Sequence, residues 1–547
     1  MSALIRFLLS CVSRFGVNMR KIVIFLFSVC LAICQQPPAE KPVKLYPGLG
    51  VWRHTIHTSS AEAQKFFDQG LALMYGFNRY ESLRSFRKVA ELDPNAAMAY
   101  WGMAMAQGPY INMEGDAELN MKASCAAAEA GLKVAGTPER ERAYLQAAAA
   151  RCPAYEPERY IDAARTLRTR WPDDLDALIL YAESLMIPVR WHWYAADGTP
   201  APGVTEAERT LEEVLRRWPE HPGANHLYIH AVESSPSPER AIASAQRLMG
   251  IMPQAGHIVH MPGHIWLVLG DWEMAASVNE RAVAVDRQYL AESQVTTSGY
   301  GAYYVHNLHF IAYARWMQGR KAEGLRAAAE LASAMAPMVE AMPEMADSFN
   351  SVVMFGHVRF QDWDGILHMQ QPKEVLRLST AVWRYARAVA LSARGDRTAA
   401  AREQAAFEAI RAQIPPDAPW GNNKAKDVMA MVSEVLSARL AASPMESVPR
   451  WRQAVAMQDA LVYDEPPPWY YPLRESLGAA LLRAGKAGEA ESVFRDGVKR
   501  SPRNGRMLFG LMQSLQAQQK TEDAEWVKRE FDAAWAKADV KLTVEEL

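Results

Sequence analysis

Apolar residues are distributed along this chain in two ways. Near the start they form one unbroken run, Ile22–Ile33, behind Arg20 and Lys21 and ahead of the polar stretch QQPPAEKPVK. A basic lead, an apolar middle and a polar exit predict a secretory signal, removed from the folded protein. The run falls short of the ~20 apolar residues of a membrane span. Beyond residue 60 such runs disappear. Small, aromatic and Pro residues recur at helical spacing instead, interrupted by the Pro-rich stretches IPPDAPWGNN (414–423) and DEPPPWYYP (464–472). The pattern predicts an all-α chain of about twenty helices, with no more β-structure than a short two-stranded hairpin.

The spacing has a phase. Counting from Ala63, Gly70, Ser82, Phe86 and Pro94 fall at positions 8, 20, 24 and 32; counting from Tyr471, Gly478, Ala490, Phe494 and Pro502 fall at the same positions. Small residues at 8 and 20 let two helices approach closely, and Pro at 32 ends the second. A 34-residue helix–turn–helix with this pattern resembles the tetratricopeptide repeat. The expected fold is therefore a tetratricopeptide-repeat superhelix of antiparallel helix pairs. Looser repeats start at Pro222, Gly256 and Val305. The predicted organisation is a signal peptide over 1–34 and a linker and N-terminal arm over 35–60. A repeat array with a His-lined groove follows over 61–440, then C-terminal repeats over 441–547. The Trp-rich excursion RWHWYAADGTPAPG (190–203) is longer than an ordinary inter-helix turn, and reads equally as a lid or a surface loop.

Seven of the 13 His, leaving aside the leading His221, fall in three clusters within this frame: HPGANHLYIHAVE (221–233), GHIVHMPGHIW (256–266) and VHNLHF (305–310). On a helix, residues three, four or seven apart share a face. His226, His230 and Glu233 are then in phase, as are His257, His260 and His264, and His306 with His309. In the repeat frame all occupy positions 2, 5, 9 or 12, which face the concave groove of such arrays. Pro262 interrupts the second cluster and is expected to start a helix afresh. Imidazole is the commonest metal ligand, and in-phase His on neighbouring helices build metal sites. The seven His and Glu233 exceed one tetrahedral site, so two ions, or one ion with outer His, fit better. The expected cofactor is a divalent transition metal, Zn, Fe or Cu, all of which accept imidazole. Glu233 is a candidate ligand or catalytic general base. Tyr300, Tyr303, Tyr304 and Asn112 are candidate contacts for a substrate or partner in the groove.

Composition narrows the classes. A mature chain of about 510 residues exceeds what one core supports, so it needs several domains or a repeat array. Lys+Arg number 60 against 62 Asp+Glu, which leaves no basic field for nucleic acid. Beyond the signal region only Cys125 and Cys152 remain. In an exported protein they form one disulfide or stay as buried thiols. In a simple hairpin turning near Gly136 their unequal arms offset them by ~7 Å along the axis, which predicts no bond. LAIC (31–34) is similar to a lipoprotein processing box with lipidated Cys34, although Ile33 stands where that box has a small residue. The protein is expected to be exported, periplasmic or lipid-anchored, with any membrane contact made through that lipid.

FDQGLALMYGFNRYESLRSF, HPGANHLYIHAVE, GHIVHMPGHIW, VHNLHF and WYYPLRESLGAALLRAGKAGEAESVFR together resemble a family of exported bacterial tetratricopeptide-repeat proteins carrying HxxxHxxE, HxxHMPxH and HNLH motifs. The resemblance runs from about residue 50 to the C-terminus and implies the repeat fold, but no settled activity. This chain departs from it at Phe77-Asn78-Arg79, where FNH is usual, and at GPYIN (108–112), where GPNxN is commoner. Two functions follow: a metal centre in the groove, with or without catalysis, or a scaffold that binds a protein or peptide there.

Overall fold

Gly70, Phe86 and Gly102 show how the sequence makes this architecture. The computed structural model describes residues 41–112, 117–293, 300–341 and 343–547. Helix Ala61–Tyr75 starts at Ser60, whose side chain accepts the Ala63 N–H at 3.1 Å. It packs antiparallel on Arg79–Leu92, and the next helix, Ala97–Gln107, packs on that one in turn. The Phe86 ring fills the space between them. A Cβ on Gly70 would stand 2.8 Å from that ring, and one on Gly102 only 2.3 Å. The C-terminal repeats repeat the device around Phe494, with Gly478 at 2.5 Å and Gly510 at 2.2 Å. Only Gly permits this approach. A Gly510→Ala variant should therefore lose about 1–3 kcal/mol by overpacking, read as a lower urea midpoint; an unchanged midpoint would contradict the close-approach account.

The same hairpin recurs along Leu45–Leu547, each helix packing mainly on its sequence neighbours. The described residues hold more than twenty α-helices, and the fold is a tetratricopeptide-repeat superhelix of antiparallel pairs. The only paired strands among them are Pro419–Trp420 and Asn423–Lys424, a two-stranded antiparallel hairpin. Helices Ala425–Arg439 and Pro444–Asp459 pack together, so residue 440 lies inside a hairpin. At Pro262 the chain ends helix Gly256–His260 and starts Pro262–Val268. No helix of the described residues is long and apolar enough to cross a membrane. The signal segment and Cys34 lie outside the described residues, as does 294–299.

The expectation for the two cysteines is corrected. Cys125 and Cys152 are bonded, with Cα atoms 5.6 Å apart. The hairpin estimate carried the helical rise through to Cys152. The helix actually ends at Ala149, and tight turns (Arg151 N–H to Ala148 C=O, Cys152 N–H to Ala149 C=O) fold the chain back beside Cys125.

Candidate metal centre

Three helical segments bring the His together. Helix Pro222–Glu233 carries His226, His230 and Glu233; Gly256–His260 and Pro262–Val268 carry His257, His260 and His264; Gly301–Met317 carries His306. Their rings form one connected cluster. Centroids lie 4.9 Å apart for His226–His257, 5.3 Å for His230–His264, 4.6 Å for His260–His264 and 4.8 Å for His260–His306. Three sets offer ligand atoms that lie within 4.8 Å of one another: His226/His230/His257, His260/His264/His306 and His230/Glu233/His264/Glu465.

The hydrogen bonds say which nitrogen is available. His226 Nδ1 lies 2.6 Å from the Tyr75 carbonyl, so it carries the proton. His260 Nδ1 lies 2.7 Å from Asn279 Oδ1, and the Asn279 amide donates to the Ala275 carbonyl, which identifies Oδ1 as the acceptor. His230 Nδ1 meets Glu233 Oε1 at 3.0 Å, and His264 Nδ1 meets the other oxygen of that carboxylate. Four rings thus have Nδ1 engaged by an oxygen, which leaves Nε2 as the ligand atom, as in metal-bound His. Those Nε2 atoms converge: 3.1 Å for His226–His257 and 2.6 Å for His260–His264, while His230 Nε2 is buried without a partner. Two imidazoles that both donate through Nδ1 can face each other through Nε2 only with a cation between them, a proton or a metal ion.

The site is not an open groove, which corrects the expectation that these residues line a free concave face. His226, His230, His257, His260 and His264 are at most 2% exposed, and Glu233 is equally buried. Three segments cover them. Phe77, at φ 56 in the first inter-helix turn, lies with its ring centroid 4.4 Å from His226 and 5.1 Å from His257. The 190–203 excursion acts as a cover, with the Trp191 and Trp193 rings 6.0 and 5.8 Å from His230. The 464–472 stretch delivers Glu465, whose Oε2 lies 3.0 Å from His264 Nδ1. The small β-hairpin braces that stretch: Asn422 N–H donates to Asp464 at 3.1 Å, and Gly421 (φ 55) passes so close that a Cβ would stand 1.9 Å from the Asp464 carboxylate.

Burial dominates the electrostatics. It pulls His226, His257 and His260 well below the ordinary imidazole range, with neighbouring His adding to the effect. His230 and His306 fall to about 3 and His309 to about 4, burial again being the main cause. These rings are therefore neutral at physiological pH, the form that binds metal. His264 is the exception. Burial alone would lower it, but Glu465 and Glu233 outweigh that and push it up to about 10. Burial pushes the Glu233 carboxyl up as well.

Other predicted residues stand apart. His309 is half-buried against Phe349 and joins none of the ligand sets among the described residues. Tyr303 lies on His257 with centroids 4.3 Å apart and accepts from Asn112 Nδ2 at 3.5 Å, so this pair borders the cluster. Tyr300 donates to Asp286 at 2.8 Å, and Tyr304 pairs with Glu330 and Arg287 away from the His. Glu233, the candidate base, has both oxygens occupied by imidazoles. Arg79 stacks 4.0 Å over Tyr110 and donates to the Met105 carbonyl, so the first repeat supplies a cover rather than a ligand. Sequence reasoning missed Glu465, Asn279 and the Tyr75 carbonyl. Glu465 arrives on a loop more than 200 residues away with no shared periodicity, and a backbone carbonyl has no sequence signal.

A second buried cluster lies behind the first. Asp176 accepts from His54 Nδ1 at 2.7 Å, Trp52 Nε1 at 3.1 Å and the Tyr75 hydroxyl, and His221 Nε2 approaches at 3.3 Å. His221 also caps its own helix by accepting the Ala224 N–H at 3.3 Å. Tyr75 joins the two clusters, with its hydroxyl on Asp176 and its carbonyl on His226.

No protein-family profile and no curated protein sequence matches the chain. Its likeness to solved structures is slight. A human IFIT1 dimer with m7Gppp-AAAA is 12% identical at a TM-score of 0.32, over 88% of this chain and 92% of that one. Yeast Tom70 is 9% identical at 0.29, over 88% and 92%. The P58(IPK) TPR domain is 11% identical at 0.19, over 84% and 99%. Nothing rests on likenesses this weak; the protein is classed by its own packing, as a helical-repeat protein built around a buried His cluster.

Proposed function

We propose that this is an exported metal-binding protein whose repeats serve to assemble a buried imidazole centre. The observation that carries the reading is the three-ring set. A shared proton explains two nitrogens facing at 2.6 Å, but gives no reason for His306 beside His260 and His264, or for His230 beside His226 and His257. A transition metal explains three converging rings, oxygens on four Nδ1 atoms, and an unpartnered His230 Nε2. The signal-like start and the Cys125–Cys152 bond support export, since disulfides persist in oxidising compartments. A repeat array suits a protein partner as well, but such a partner would dock outside the covered His positions. The test is elemental analysis of protein purified without a His tag or nickel column. The expected result is Zn, Fe or Cu in stoichiometric amount, reduced in His260→Ala and absent when His257 and His260 are both replaced by Ala. Metal-free protein that also takes up none of these ions on incubation would refute the reading.

A further inference from the structure

The cluster contains more donors than one ion uses, and they are not interchangeable. Resting on the metal-binding reading above, we propose that the centre holds two ions. One sits in His226/His230/His257, the other in His260/His264/His306, and Glu233 joins the sets from outside as acceptor for one His of each.

The argument is a count of lone pairs. One alternative is a single ion in the mixed set His230/Glu233/His264/Glu465. That ion would take the Glu233 oxygens, yet these already hold His230 Nδ1 and His264 Nδ1. It would also leave His226–His257 (3.1 Å) as a plain N–H···N bond with His257 Nδ1 buried and unpartnered, and would need an extra proton between the His260 and His264 Nε2 atoms (2.6 Å). Two ions use every converging nitrogen instead. His226 and His260 are held in the ligating tautomer by Tyr75 and Asn279, and His230 and His264 by Glu233. His257 Nδ1 lacks an acceptor and the Tyr303 ring covers that imidazole, while His306, half-buried, has no acceptor among the described residues. Imidazoles give an ion no counter-charge, His264 releasing its Nε2 proton as its ion enters, and the two buried carboxylates, Glu233 and Glu465, offset part of the charge from behind the ligands.

Imidazole-only sets exclude the hard ions Mg and Ca, which take oxygen. They suit zinc or copper, with a fourth position left open on each ion. Because Glu233 contacts both sets through adjacent oxygens, filling one set orders the carboxylate that orients the other.

The test uses the full chain, stripped with chelator and titrated with zinc sulfate, with copper as a second arm. Two equivalents are expected. His306→Ala and His257→Ala should each retain one equivalent, and the double variant none; helicity is followed by circular dichroism. His306 is half-buried, so its variant keeps the test alive if His257→Ala does not fold. Glu233→Gln should retain two equivalents but weaken each by about 10–100-fold, as loss of a second-shell partner does. One equivalent that vanishes in Glu233→Gln or Glu465→Gln would place a single ion in the mixed set and overturn the two-ion inference, while leaving the metal reading intact. No uptake by the unaltered protein would overturn both.

Discussion

Asp176→Ala should destabilise the protein by about 3–5 kcal/mol, the cost of removing one partner from a buried ionic network. The carboxylate is 4% exposed and has four donors around it: His54, Trp52, Tyr75 and His221. Trp52 and His54 belong to the N-terminal arm, Tyr75 to the first repeat helix and His221 to the first His-bearing helix. Its removal therefore releases three segments at once and leaves buried His54 only the more distant Asp174, 4.0 Å away, as counter-charge. The pH dependence follows with definite signs. Burial by itself raises the Asp176 carboxyl, but hydrogen bonds from His221 and His54 outweigh it and hold the group far below the carboxylate range. A depressed carboxylate contributes stability above its unfolded value of about 3.9, lost as pH falls below it. Burial lowers His54, but the Asp176 bond outweighs that and raises it. A raised imidazole contributes fully below its unfolded value of about 6.5 and loses that contribution as pH rises through the folded value. The gap between the two proteins should thus be widest between about pH 4 and 6.5. Urea unfolding at pH 5 reads it directly, and equal midpoints there would sink the account. Because the Tyr75 carbonyl orients His226, the variant should also bind metal more weakly.

The fold was legible because its determinants are local and steric. Gly70 with Phe86 and Gly478 with Phe494 impose the same close approach wherever they occur, so spacing alone locates the hairpins. The in-phase His were legible for the same reason: helical period puts His226 and His230, or His260 and His264, on one face. What was hidden depends on loops. Nothing in the composition of 190–203 said that Trp193 would pack against His230, nor that DEPPPWYYP would carry a carboxylate to His264. Without these covers the groove looked open, and burial at the His positions was not foreseen. The cysteine pairing failed on a similar point. Helix rise predicts separation only while the chain stays helical, and it leaves the helix three residues before Cys152.

Stripping metal from the protein should lower its stability by an amount set by mass action. An ion that binds the folded chain alone stabilises it by about 2.7 kcal/mol at 100 times its dissociation constant and about 4.1 kcal/mol at 1,000 times. The burial of the rings makes that term large here. Rings at most 2% exposed, with His230 Nε2 partnerless, leave desolvated lone pairs that water does not reach in the folded protein. Unfolding rehydrates them, so the metal-free native state carries a cost that a bound ion removes. The expected signature is a melting temperature that falls on chelation and recovers on adding back zinc or copper, but not magnesium. His264→Ala should diminish the recovery to what the His226/His230/His257 set alone supplies, because it removes a ring of the other set and a partner of both Glu233 and Glu465. The disulfide lies outside this cycle and should keep its linkage throughout. If chelation leaves the melting temperature unchanged while elemental analysis shows that the ion has gone, the buried imidazoles are satisfied among themselves. The shared proton on His260–His264 would then be the cation that holds the cluster.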